Sequence, residues 1–158
     1  IGIIYLDQIY TMFLKISSLE KQIYAGEIEK VTIPTEWGEL TILPGHIPLS
    51  TVVKPWLLQI YPAQIPQETG YVIDKGAINV AVSKWLLFVD GHNIILTTSV
   101  AAISPEESAE VLEKMHTDMK EKLDKIKAEW SKEDLEKALV NLEKITADLR
   151  LAKLRHMS

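Results

Sequence analysis

The chain has 158 residues, enough for one medium domain or a small domain with an appendage, and its 47% hydrophobic and 25% charged residues are those of an ordinary globular protein. Its formal net charge of −5 argues against nucleic acid as a main ligand, because phosphate binding needs a basic footprint. It has no cysteine, which excludes disulfides, thiolate catalysis and Cys-ligated zinc, and it has no apolar run long enough to span a membrane.

The opening IGIIYLDQIYT (residues 1–11) has neither the basic leader nor the small-residue cleavage site of a signal peptide. Met12 follows it as a candidate internal start. We set residues 1–11 apart as an N-terminal extension or extra edge strand without an assigned function. Composition then changes near Ser104: all seven glycines and six of the seven prolines come before it. Residues 12–103 therefore read as an all-β domain and residues 104–158 as helical. Short apolar runs between turn signals predict strands at 13–17, 21–28, 29–35, 39–43, 56–61, 70–74, 78–82, 84–89 and 93–98. Their spacing points to a sandwich or barrel. Asp90-Gly91-His92-Asn93 predicts a tight hairpin turn, since Asp-Gly supplies positive φ angles.

In the last third, Ser104-Pro105-Glu106-Glu107 has the form of a capping box with proline at the first helical position. Leu112, Met115, Met119, Leu123, Ile126 and Trp130 then recur on one helical face. Ser131 to Asp134 opens a second helix in a similar way. Leu135, Ala138, Leu142, Ile145, Leu149 and Ala152 follow at alternating steps of three and four, a heptad seam. The expected element is an antiparallel hairpin of two helices. Its stripes either pair only with each other, or the hairpin opens and lays a stripe on a partner.

Catalytic motifs are missing. His46, His92, His116 and His156 have no metal-site spacing, and HExxH, GxSxG, GxxxxGK[ST] and GxGxxG do not occur. Glu121–Lys125, Glu129–Lys132 and Glu133–Lys137 read as solvated helix pairs rather than catalytic dyads. An enzyme would have to assemble its site from scattered residues, so no catalytic residue, metal or cofactor is expected. The stretch GELTILPGHIPL (residues 38–49) reads as a half-buried strand and a stiff turn. Pro44 presets φ and Gly45 supplies positive φ for a type II turn, with Glu39 and His46 displayed near the two ends. A rigid loop of this kind suits docking, because little ordering entropy is lost on binding.

These residues resemble a known family. The stretch GEIEKVTIPTEWGELTILPGHIPLSTVVKPW, then further hairpins and a capped helical hairpin, is similar to the epsilon subunit of F-type ATP synthases. The match runs through Val31, Ile33, Pro34, Gly38, Glu39, Leu40, Ile42, Leu43, Pro44, Gly45, His46, Pro48, Leu49, Thr51, Lys54 and Pro55. SKWLLFVDGHNIILTTSVA (83–101) and LEKALVNLEKITADLRLAK (135–153) are similar to later parts of the family. The resemblance implies an α+β chain: an antiparallel β-sandwich of about ten strands, then a two-helix hairpin. It implies a non-catalytic subunit of the rotor stalk, peripheral on the cytoplasmic face of a bacterial plasma membrane and associated with the membrane only through its complex.

By position, Glu39 would face the c ring, and Ser17, His46 and Thr51 would meet the gamma subunit. Lys144, Arg150, Lys153 and Arg155 would meet the alpha/beta collar, where the hairpin inhibits ATP hydrolysis. Three departures stand out. Lys84-Trp85 replaces a pair of glycines. About ten extra residues lengthen the hairpin around 62–76. Ser104 and Glu107 replace the Asp and Arg of relatives that bind ATP on the hairpin, so no nucleotide site is expected, an anionic triphosphate having lost its charged donor. A free-standing adaptor or inhibitory protein of the same fold, without a rotor role, is the alternative.

Overall fold

The computed structural model describes residues 11–67, 70–126 and 129–157, with the side chains of Trp85 and Ile126 excepted. Almost all of the expected N-terminal extension lies outside the described residues. Among the described residues ten strands come first: β1 (Met12–Ser17), β2 (Gln22–Thr35), β3 (Gly38–Ile42), β4 (Leu49–Val53), β5 (Trp56–Pro62), β6 (Val72–Asp74), β7 (Ala77–Val82), β8 (Trp85–Val89), β9 (Asn93–Thr97) and β10 (Ala101–Ala102). Helices α1 (Ala109–Ile126) and α2 (Lys132–Met157) follow.

The strands pair in the order β1-β9-β8-β4-β2-β5-β7-β10, with β3 on β2, β6 on β7, and β1 closing back on β2. All pairings are antiparallel except β1 with β9. The sequence reading divides residues 21–35 into two strands, whereas β2 is one strand of 14 residues. Its register on β5 shifts between Ile28 and Lys30. Such an irregularity bends a strand, so β2 serves both layers: its first half pairs with β1 and its second with β3 and β5. The reading also passes over β4 and β10. Pro48 and Pro55 flank β4 and make it look like loop, yet all five of its residues pair with β8.

Side chains alternate in and out along β1 and β9, as a half-buried sheet requires. Leu14, Ile16, Ile28, Ile33, Ile42, Leu58, Ile60, Leu87, Ile94 and Leu96 fill the space between the layers and are almost wholly buried. Between β7 and β8, Ser83 is a buried junction with the segment that follows β9. Its hydroxyl lies 2.9 Å from Thr98 Oγ1 and 2.7 Å from Ser99 Oγ, and it accepts the Val100 amide at 3.1 Å. The Lys84 that follows it reaches Glu36 at 3.5 Å on the surface.

The first helix starts later than its sequence suggests. Residues 104–108 are not helical, and α1 opens after Ser108, whose carbonyl accepts the Leu112 amide at 3.0 Å and whose hydroxyl accepts the Val111 amide at 3.4 Å. The Ser104 capping box is unused, and Glu106 within it turns to α2 instead. Glu106 pairs with Lys144 at 3.3 Å, and the Glu106 amide bonds to the Asp148 carboxylate. The second start signal is used as written: Ser131 Oγ accepts the Asp134 amide at 3.2 Å and donates to the Asp134 carboxylate at 2.7 Å. Of the three surface pairs expected on the helices, Glu133–Lys137 is formed, at 2.8 Å.

The hairpin lies folded on the sandwich. The later half of the heptad seam packs as expected, with Ile145, Leu149 and Ala152 against Leu112 of α1, whereas Met115 of the α1 stripe is exposed. A second stripe of α2, Ala147, Leu151 and Leu154, rests on Val72, Ala81, Leu57 and Ala102. The three alanines let helix and sheet approach closely. Val72, the first residue of β6, thus sits under α2.

Candidate functional site

Three surfaces carry the residues singled out by sequence. The first is the outer face of the β1, β9, β8 and β4 layer. Phe88 is paired with Ile95 on one side and Ser50 on the other, and Leu86 with Thr97 and Val52. Phe13 and Lys15 lie beside Asn93 and Ile95 across the parallel β1–β9 pair. Phe13, Val52, Leu86, Phe88 and Ile95 are each 39–53% exposed. They form an apolar stripe four strands wide, edged by Lys15, Ser17, Ser50, Asn93 and Thr97. Contiguous exposed apolar surface of this kind marks a protein interface. None of the five apolar residues was singled out beforehand. The available signal was a failure of alternation: β8 and β9 are apolar at successive positions, so both of their faces are apolar.

Of the residues assigned to the gamma contact, Ser17 stands on the edge of this face, opposite Thr97. Thr51 is half-buried and points to the other side of β4 from Ser50 and Val52. His46 belongs to a separate turn at one end of the layer. There His46 N donates to Leu43 O at 3.0 Å and Gly45 has φ 79°, the type II turn expected of Pro44-Gly45. His46 Nδ1 lies 2.8 Å from the carbonyl of Ile47, to which it donates as Nδ1–H. Gly45 N reaches Gly91 O at 3.4 Å, so this turn leans on the Asp90–Asn93 turn. The Asp90 carboxylate braces that second turn. It accepts the amides of His92 at 3.0 Å and Asn93 at 2.7 Å, and these bonds hold its pKa below the ordinary value. Ser17 and His46 therefore lie toward opposite ends of β1, whose Phe13 amide donates to His92 O at 2.9 Å. Four residues of strand separate Phe13 from Ser17, about 13 Å. Gly45→Ala is expected to cost about 1–2 kcal/mol and to lower Tm by a few degrees in a thermal melt. The added Cβ meets nothing within 4 Å, so the cost is that of the backbone conformation.

The second surface is the tip of the β2–β3 hairpin. Glu39 is exposed on β3 opposite Pro34, while Leu40 turns inward onto the core. Trp37, which sequence reasoning passed over, stands at the tip 95% exposed. Thr35 Oγ1 donates to Gly38 O at 2.7 Å and accepts the Trp37 amide at 3.3 Å, which ties the tip into a fixed loop.

The third surface is the basic side of α2. Lys144 and Lys153 are paired within the hairpin region, Lys144 with Glu106 and Lys153 with Glu113, at 3.3 and 3.2 Å. Arg150 turns instead to the sandwich. Its Nη1 donates to Pro55 O at 2.9 Å and its guanidinium lies 4.4 Å from the Trp56 ring centre. Arg155 is exposed near the end of the helix. Ser104 and Glu107 lie in the non-helical connector before α1. Among the described residues no group of three or more acidic or histidine side chains could hold a metal, and no helix is long and apolar enough to cross a membrane.

Residues 11–91 match the family of the ATP synthase Delta/Epsilon chain, beta-sandwich domain. The ATP synthase epsilon chain of Laribacter hongkongensis is 34% identical over 145 residues, covering 92% of this chain and 84% of the relative. That of Janthinobacterium sp. is 33% identical over 134 residues, covering 85% and 78%. Among solved structures, a chain of the Euglena gracilis mitochondrial ATP synthase, determined as OSCP/F1/c-ring in rotational state 1, has the same fold. Its TM-score is 0.58 at 17% identity, covering 87% of this chain and 79% of that one. A β-sandwich with a two-helix hairpin, matched over its length to bacterial relatives of one kind, belongs to the ATP synthase epsilon chain family: a non-catalytic subunit of the ATP synthase complex.

Proposed function

We propose that this epsilon chain is a coupling piece of the central stalk, peripheral on the cytoplasmic face of a bacterial plasma membrane. The outer face of the β1/β9/β8/β4 layer grips the gamma subunit, with Ser17 on its edge and His46 at one end, whereas Thr51, on the other side of β4, lies behind the contact rather than in it. The β2–β3 tip, with Glu39, meets the polar loops of the c ring. The hairpin regulates hydrolysis: when it leaves the sandwich and its helices part from each other and from their connector, Lys144, Arg150, Lys153 and Arg155 become available to acidic residues of the alpha/beta collar. The observation that carries this reading is the exposed apolar face in a family member that does no chemistry of its own. Such a face has a cost in water and is retained where a partner covers it. The folded hairpin supports the regulatory part, because Lys144, Lys153 and Arg150 all have intramolecular partners while it is docked.

Reconstitution tests the reading. The chain should form a complex with gamma and restore proton pumping to membranes stripped of epsilon. Glu39→Arg should cut ATP-driven pumping severalfold while hydrolysis and the melting temperature of the chain stay close to wild type, since Glu39 is exposed. Failure to bind gamma with a folded chain would favour a free-standing adaptor. Unchanged pumping by the Glu39→Arg assembly would remove this residue from the c-ring contact.

A further inference from the structure

The hairpin docks on the sandwich through a small contact. Its apolar part consists of Ala147, Leu151 and Leu154 on one side and Leu57, Val72, Ala81 and Ala102 on the other. The ion pairs Lys144–Glu106 and Lys153–Glu113 tie the hairpin to its own connector and to itself, with both partners largely exposed, so they contribute little and weaken with salt. Arg150 differs from both. Next to the buried Leu151, it crosses from α2 to the sandwich and meets two groups there. It donates to the Pro55 carbonyl, at the corner between β4 and β5, and lays its planar guanidinium over Trp56, the first residue of β5. Trp56 remains 49% exposed, so the indole is a platform standing out of the sheet rather than a core residue. Burial lowers the Arg150 pKa but leaves the group charged, as an arginine always is in water-accessible protein. Lysine could not replace it: the fork that bonds a carbonyl while stacking on a ring belongs to a planar guanidinium.

We propose that Arg150, Pro55 and Trp56 form a clamp that sets the fraction of hairpin docked on the sandwich. The clamp needs no nucleotide and no partner. It is a property of the isolated chain and stands whether or not the freed hairpin inhibits hydrolysis. A contact made of a stacked ring and a shielded carbonyl is screened less by salt than the two exposed pairs beside it.

The chain has no cysteine, so two introduced ones report on docking without further changes. Spin labels at Gln22→Cys on the sandwich and Asn141→Cys on α2 give one narrow distance distribution if the hairpin is docked. With Trp56→Leu or Arg150→Met, the undocked population is expected to rise about tenfold, the loss expected for a stacked and charge-assisted contact. Each variant removes one half of the clamp and keeps apolar bulk in place. The sandwich should melt within a few degrees of the parent in both, and Lys137→Met, which removes a cation paired within α2, should leave the distribution unchanged. Persistent docking in either clamp variant, or equal opening by Lys137→Met, overturns the clamp. If one clamp variant does not fold, the other decides alone.

Discussion

Phe88→Asp is expected to weaken binding of the isolated chain to a gamma subunit by at least a hundredfold while the sandwich stays folded. Phe88 sits in the middle of the apolar face, paired with Ser50 and Ile95, and is 53% exposed. Its outward direction keeps the cost to folding small. Aspartate is a poor strand residue, worth about 1 kcal/mol, and the loss in Tm should stay within a few degrees. The cost to binding is of another kind. Aromatic residues at the centre of an interface carry much of its energy, and a carboxylate there must shed its water without a partner. A hundredfold loss corresponds to about 2.8 kcal/mol, within the range for a central aromatic anchor. Titration calorimetry with purified gamma reads the effect. Full affinity in a folded Phe88→Asp chain would place the gamma contact elsewhere and remove the main support for the coupling role.

Asp148→Asn is expected to stabilise the folded chain at neutral pH and to flatten its pH dependence. Asp148 is 3% exposed on α2. Burial, and then the Glu106 carboxylate, raise its pKa from the ordinary 3.8 to about 6, while Lys144 and the Glu106 amide pull the other way. The folded state therefore holds its proton more tightly than the unfolded one. Its stability is fully present below about pH 4, falls as pH rises through about 6, and levels off above. Ionising the buried carboxyl costs up to about 3 kcal/mol by this linkage. Asparagine keeps the oxygen that accepts the Glu106 amide and has no proton to lose. Urea unfolding of wild type and Asp148→Asn between pH 4 and 7.5 should give curves that diverge with rising pH, the variant ending about 1–3 kcal/mol ahead. Glu143, also raised by burial, contributes a slope of the same sign, and Asp90, held below its ordinary value, one of the opposite sign. Both are common to the two proteins and cancel in the difference. Parallel curves would show that Asp148 is not the group that titrates.

The parts of this protein that were legible in the sequence are those decided within a few residues. Pro44-Gly45 makes its turn because proline and glycine carry the required φ angles themselves. Asp90-Gly91 makes the β8–β9 turn for a similar reason, and Ser131 caps α2 with an amide three residues away. The α2 seam was legible because a 3.5-residue period is a property of one segment alone.

Tertiary structure decided what two distant segments settle between them. Ser104 reads as a helix start, yet α1 opens after Ser108, with Glu106 turned instead to Lys144 and Asp148 about forty residues away. Residues 21–35 become a single strand because β1, β3 and β5 claim its two halves across one irregularity. Phe88 and Ile95 lie in strands apolar at successive positions, and only the pairing of β8 and β9 decides that they share the outward face. Arg150 is expected at the alpha/beta collar from its position in the sequence, and only the laying of α2 across the corner at Pro55 and Trp56 gives it partners on the sandwich. Hydrogen bonds and packing act over a few ångströms in space. A sequence reports them where neighbours in the chain are neighbours in the fold, and the docking of helix on sheet joins residues that are not.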